Sequence, residues 1–315
     1  MNVFVVGASN VDIIAKSAEV AIAGESNVGK VEKAPGGVGR NIAFALKALG
    51  FDVSFLTAIA DDENGRLVAK SLRGSGIKLL SEPFPSDEER TGVYSCILDE
   101  DGSLLIAVNE MSITHRITSD LVMGFREAIE KSDYLVIDSN VPEETIRTLC
   151  SFDIRIVADA VSSSKVVKLL DSLEHIYLLK ANFFEACALA GLDEIESDAE
   201  GIQSVMEALV AKGLRRAIIS LGKDGAFCYE VSGTGTKGFD AKAINSPDFV
   251  SANGCGDVLL AGFLRALSEG LPIEDALNYG QAASGINSES MEAVSPALSF
   301  ENVKRKVEEH YEQIS

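Results

Sequence analysis

The run Val250-Ser251-Ala252-Asn253-Gly254-Cys255-Gly256-Asp257-Val258-Leu259-Leu260-Ala261-Gly262-Phe263-Leu264-Arg265-Ala266-Leu267 decides how the rest of the chain is read. From Val258 the apolar residues recur at helical spacing until Gly270-Leu271-Pro272 stops them, which predicts a buried helix of about four turns. Its first turn is Gly254-Cys255-Gly256-Asp257. Glycines there leave the backbone open to a ligand, the first N–H groups of a helix have no partner inside it, and the helix dipole is positive at that end. Together these properties suit an anion such as phosphate. Asp257 then has two readings: a first-turn residue favoured by the dipole, or a general base held beside a phosphate to take the proton of an attacking hydroxyl.

Composition bounds the partners. The chain of 315 residues, 46% hydrophobic and 24% charged, can bury a large core as one α/β domain with an appendage or as two domains. A formal net charge of -20 opposes polyanions, so no nucleic acid and no anionic membrane is expected as a partner, and a small phosphate ligand needs a local device such as a helix start or Mg²⁺. The five cysteines include no CxxC pair and the three histidines stand far apart, which speaks against a zinc site or a disulfide framework and for a reducing compartment. The chain opens on an apolar strand rather than a basic leader, and no apolar run approaches the ~18 residues of a membrane span. A soluble, cytoplasmic protein is the expectation.

Val3 to Gly7 reads as a strand buried on both faces of a parallel sheet, with Ser9, Asn10 and Asp12 just beyond its carboxyl end, where open α/β sheets bind ligands. Asp12 is either a turn residue or an acceptor for sugar hydroxyls. Gly24 to Lys30 matches GxxxxGK but is not a P-loop: Val31 stands where a Ser or Thr would meet Mg²⁺, and Pro35 follows before any helix can start. Pro35-Gly36-Gly37-Val38-Gly39-Arg40-Asn41 leads into a helix closed by Gly50, either as a plain loop or as a close approach to a ligand.

Strands at 53–60 and 77–80 flank a helix at 65–73 and establish a β-α-β rhythm. It breaks at Thr91 to Asn109, where Asp99-Glu100-Asp101-Gly102 turns a hairpin. With extended segments around 14–33, this hairpin predicts a small antiparallel sheet outside the main one, usable as a lid. The rhythm resumes with helices near 119–131, at 142, at 164–170 and at 199–212, and strands at 134–137, 154–158, 176–179, 217–221, 226–231 and 236–239. Polar residues end three of these strands: Asp138 with Asn140, Asp159 with Ser162, and Lys180 with Asn182. Asn182 with Glu185 is either a capping box or the start of a site that orders Mg²⁺. Gly222-Lys223-Asp224-Gly225 is a hairpin turn or a phosphate contact. Helices at 272–288 and 300–313 end the chain.

Gly36-Gly37 with Asn41, Asn182-x-x-Glu185, Leu221-Gly222-x-x-Gly225 and Gly254-x-Gly256-Asp257, in that order, resemble the ribokinase-like (PfkB) carbohydrate kinase family over essentially the whole chain. Ser9-Asn10-Val11-Asp12, Ser26-Asn27-x-Gly29-Lys30, Gly37-Val38-Gly39-Arg40-Asn41, Leu105 to Met111 and Asp159-x-Val161-Ser162 with Lys165 are similar to the branch of that family whose acceptor is a C-linked nucleoside.

The resemblance implies a doubly wound, mainly parallel α/β sheet with helices on both faces, one ribokinase-like domain over 1–315, and a β-sheet lid from about 14–33 and 91–109. It implies transfer of the γ-phosphoryl of ATP to a sugar hydroxymethyl group. Asp257 takes the base role, and the N–H groups of Gly254, Cys255 and Gly256 form the anion hole. Asn10, Asp12, Gly36, Gly37, Arg40 and Asn41 fall on the acceptor side, with Asn109 or Lys165 at the base. Asn182, Ser220, Gly222, Lys223, Gly225, Asn253 and Asn287 fall on the ATP side, and Glu185 in the Mg²⁺ network. Ser251, Ala252 and Cys255 depart from the family's Asp-Thr-x-Gly-Ala-Gly-Asp, which leaves a role for K⁺ open. The partners implied are ATP and a nucleoside or sugar, with a homodimer through the lid. The alternatives are a kinase for ribose, adenosine or a ketohexose, and an inactive nucleoside-binding protein.

Overall fold

The computed structural model describes the backbone of residues 1–314 apart from Glu194, Asn245 and Pro247, and side chains as far as His310. Its strands, in chain order, are β1 (Asn2–Val6), β2 (Asn10–Ser17), β3 (Gly29–Gly36), β4 (Asp52–Leu56), β5 (Lys78–Leu79), β6 (Gly92–Leu98), β7 (Leu104–Glu110), β8 (Tyr134–Asp138), β9 (Ile156–Asp159), β10 (Ile176–Asn182), β11 (Arg216–Ser220), β12 (Ala226–Ser232) and β13 (Gly235–Ala241).

Nine of these form one sheet in the order β13-β12-β11-β10-β9-β8-β1-β4-β5, parallel from β11 to β5, with β12 and β13 added antiparallel at one edge. The apolar run of β1 explains its central place. Val3 and Val5 face one core cluster, shared with the helices Val38–Ala48, Cys255–Ser268 and Ile273–Asn287, while Phe4 and Val6 face a second, shared with the helices of the other side. Helices therefore cover both faces, as a doubly wound sheet requires. β4 lies on one side of β1 and β8 on the other, so the strand order reverses there. That is the place where open α/β sheets leave a crevice beyond their carboxyl ends.

β3, β2, β6 and β7 make a second sheet. It is mixed rather than antiparallel as expected: β2 pairs with β3 and β6 with β7 in hairpin fashion, but β2 and β6 run parallel. The chain passes through β4, the helix Glu63–Gly74 and β5 between those two strands, and so returns to the second sheet from the same end. The register places Asp12 beside Tyr94 and Tyr94 beside Asn109. Lys30 pairs within β3 and no helix follows it, in keeping with the rejection of a P-loop.

Other boundaries move for local reasons. The strand expected at 53–60 leaves the sheet after Leu56, where the Thr57 N–H turns to Ser81 Oγ at 2.9 Å. The helix expected at 119–131 is two, Ser119–Met123 and Arg126–Glu130, broken at Gly124-Phe125. The helix at 164–170 is one turn, Ser163–Val166, continued as a 3-10 segment to His175. Among the described residues no helix is long and apolar enough to cross a membrane.

Candidate active site

Two cavities open along the carboxyl edge of the large sheet. The first, about 630 Å³, lies between that edge and the second sheet: Asp12, Tyr94 and Asn109 line it from the second sheet, and Asp159 and Lys180 from β9 and β10. Asn10, Gly37, Asn41, Asn140, Lys165 and Met111 complete its wall. The second, about 610 Å³, is lined by Ser220, Gly222, Lys223 and Gly225 after β11, and by Leu259, Gln281 and Ser284. The start of the 255–268 helix separates them: Gly254, Gly256 and Asp257 line the first, Cys255 and Gly256 the second.

This helix start has no side-chain cap. Among the described residues the N–H groups of Gly254, Gly256 and Asp257 have no hydrogen-bond partner, whereas that of Cys255 donates to the Ala252 carbonyl at 3.3 Å. The expectation of a hole made by the amides of Gly254, Cys255 and Gly256 is corrected accordingly: the Cys255 amide is turned into its own loop and the Asp257 amide is free. Gly254 has φ 69°, and a Cβ on it would fall 1.8 Å from the Ala293 carbonyl oxygen, so only glycine permits this turn. A Cβ on Gly256 would fall 2.7 Å from Lys180 Nζ, which places the lysine ammonium directly against the helix start.

Asp257 is 7% exposed. Burial first, and then Asp159, push its carboxyl up to about 7; Lys180 and the hydrogen bond from Asn41 work against that rise, and Asp138 adds to it. Asn41 Nδ2 donates to Asp257 Oδ2 at 3.0 Å, a contact between the 38–48 and 255–268 helices. Lys180 lies 3.1 Å from Asp159. Burial opposes its ammonium, but Asp159, Asp257 and Glu185 outweigh that and hold it above the ordinary lysine range. Asp159 Oδ1 also accepts from the N–H of Val161, whose φ of 62° makes it the one non-glycine residue in the left-handed region among those described. Asp12 accepts from Asn10 Nδ2 at 2.6 Å; burial raises its carboxyl, against Asn10 and Arg40. Lys165 Nζ donates to Asn140 Oδ1 at 2.7 Å on the far wall.

The structure does not bring every expected residue to a cavity. Arg40 is not among the residues lining either one; it is buried behind the first, bonded to Asn41 and Ser71. Gly36 pairs inside β3, and its missing Cβ leaves room for the Asp12 carboxylate rather than for a ligand. Asn253, expected beside the nucleotide, lines the first cavity. Asn287 lines neither. Its Nδ2 donates to the carbonyls of Asn253 and Ala293, and its Oδ1 accepts from the Ser295 N–H, so it braces the loop that carries Gly254. Asn182 and Glu185 also line neither and form a reciprocal capping box, at 2.7 and 2.9 Å.

The cavity walls include residues that sequence reasoning did not single out, Tyr94 and Gln281. Gln281 is 4% exposed with its Nε2 unpartnered, and as one of several polar residues in its helix it gave no signal. Lys180 was visible as the polar end of an apolar strand and as the first residue of Lys180-Ala181-Asn182.

Among the described residues no three His, Cys, Asp or Glu are placed to hold a metal ion. Mg²⁺ carried by a nucleotide asks for less, since it keeps waters and phosphate oxygens and needs one or two carboxylates. Glu185 fits that demand: Asn182 N–H occupies one carboxylate oxygen, and no described residue hydrogen-bonds the other.

A doubly wound sheet, a second sheet over its carboxyl edge and a bare helix start holding an aspartate define a kinase of the ribokinase type. The chain belongs to the pfkB family carbohydrate kinases, whose pattern matches residues 1–299. Kinases of this family transfer phosphoryl groups to hydroxyls, and in general use ATP with Mg²⁺. The chain is 31% identical over 311 residues to the pseudouridine kinase of Escherichia coli, covering 97% of this chain and 96% of that protein. It is 27% identical over 296 residues to the ribokinase of Bacillus subtilis, covering 91% and 92%. A solved carbohydrate kinase from Agrobacterium tumefaciens superposes with a TM-score of 0.81 at 30% identity, covering 98% of this chain and 97% of that one.

Proposed function

We propose that the protein phosphorylates the 5'-hydroxyl of pseudouridine with ATP. The observation that carries this reading is that two cavities of similar size meet at one helix start, Gly254 to Asp257, with the aspartate on the side of the first. The first cavity would take the nucleoside and the second the ATP. Asp12, Gly37 and Asn41 would meet the ribose, and Lys165 and Asn109 the carbonyls of the base. Gly222, Lys223 and Gly225 would line the triphosphate side, with Gln281 offering its free N–H to the nucleotide.

In the reaction the 5'-oxygen attacks the γ-phosphorus, its proton passes to Asp257, and the bond from phosphorus to the β-γ bridging oxygen breaks to release ADP. A carboxyl held near 7 is half ionised at neutral pH, which suits a general base. The free amides of Gly254, Gly256 and Asp257 and the ammonium of Lys180 would stabilise the charge that develops on the transferred group. Mg²⁺, when bound with ATP, neutralises phosphate charge, and the open oxygen of Glu185 would hold one of its waters. Ser251 accepts a hydrogen bond from the Asn253 N–H and so helps to shape this loop. The second sheet would act as a lid that excludes water.

A plain sugar is the second reading, favoured by the ribokinase likeness. The polar groups of Lys165 and Asn140 favour a nucleoside, because they add hydrogen-bonding partners for a base to those that would hold the sugar. An ATP-consumption screen over pseudouridine, uridine, cytidine, adenosine, inosine, ribose and fructose tests this. Preference for pseudouridine supports the proposal, preference for a free sugar supports the second reading, and no turnover of any indicates a nucleoside binder without activity.

A further inference from the structure

Arg40 is 8% exposed and sits one residue before Asn41, yet its side chain turns away from both cavities. Its guanidinium lies 3.9 Å over the Phe44 ring. One terminal nitrogen donates to Ser71 Oγ at 3.1 Å and the other to Asn41 Oδ1 at 3.0 Å. A primary amide has one acceptor end and one donor end. With Oδ1 committed to Arg40, the Asn41 amide has one orientation, and its Nδ2 faces Asp257 Oδ2 at 3.0 Å.

We propose that Arg40 is a positioning residue for the reaction assigned above: it fixes the Asn41 amide so that Asn41 presents only N–H groups, one of which holds the carboxylate of Asp257 in place. Without Arg40 the amide can turn over and set its carbonyl oxygen against the carboxylate. That contact is repulsive to the ionised base and leaves it without its one side-chain hydrogen bond among the described residues. The charged groups that face this chain are Asp12 and Glu292 toward Arg40, and Asp159, Lys180 and Asp138 toward Asp257. Burial pulls the guanidinium down to about 10, against Asp12 and Glu292, so it stays charged through the working pH range.

The inference rests on the kinase reading for its effect on rate but can be read without it. In the ligand-free protein the carboxyl titration of Asp257, followed by carbon NMR and assigned by its loss in Asp257→Asn, is expected to move to higher pH in Arg40→Met. In the kinase assay the acid limb of kcat/KM moves the same way, and kcat falls about 10- to 100-fold, the worth of a hydrogen bond to a charged group. Arg40→Leu serves if the methionine variant fails to fold, with the same direction expected. Ser71→Ala, which removes only the tether, leaves the titration in place. A folded Arg40→Met or Arg40→Leu with wild-type Asp257 titration overturns the inference. A wild-type protein that turns over no acceptor overturns the kinase reading alone.

Discussion

At the scale of single residues, Asp257 is governed by charges that reach it from three adjacent strands. Asp138, Asp159 and Lys180 end β8, β9 or β10 or stand within them, and the parallel sheet lines these positions up along one edge. Their effects have opposite signs. With Asp257 as the proposed base, activity is expected to need the ionised carboxylate and so to rise with pH through about 7, the value to which burial and Asp159 push the group. Asp159→Asn removes a like charge, so the acid limb of kcat/KM should move to lower pH. Lys180→Met removes the opposing cation, so the limb should move to higher pH, with activity at neutral pH falling and partly recovering in alkali. Shifts in the same direction would show that these side chains act on the fold and not on the base. The residues themselves were legible, since a polar residue ending an apolar strand is visible in any sequence. Their convergence was not: Asn41 and Asp257 are 216 positions apart, and only the packing of two helices brings them to 3.0 Å.

Elements show the same division. The helix start at 254 could be read because glycine spacing and the apolar period coincide there, and the capping box at Asn182 and Glu185 because the motif is local. The parallel pairing of β2 with β6 could not, because strand direction follows from the route of the intervening chain and not from either strand's residues. That second sheet carries Val31, Ala15, Ile97 and Ile106 in register across all four strands, with Val31 70%, Ile97 46% and Ile106 57% exposed. We propose that this row meets its counterpart on a second copy, since an apolar stripe on an open sheet is costly to leave in water. Ile106→Glu should then halve the mass measured by light scattering. A wild-type protein that is already monomeric at assay concentration contradicts the dimer.

For the molecule as a whole, a formal charge of -20 sets a problem that the fold answers locally. Under the proposed function anionic ATP must be drawn to an acidic protein, and the bare amides of one helix start, the ammonium of Lys180 and the lysine in the turn after β11 would supply the attraction. Composition implied a need for such a device, and the glycines marked the helix start proposed to supply it. The two cavities on either side of it were beyond the sequence, because each is walled by elements from distant parts of the chain. We propose that transfer takes place across this helix start with Asp257 as base. The most direct test is to measure turnover and nucleoside dissociation constant side by side for Asp257→Asn. Turnover is expected to be lower by about 10²- to 10⁴-fold with nucleoside affinity nearly unchanged; turnover at the wild-type rate, or a loss explained entirely by lost binding, would rule out Asp257 as the base.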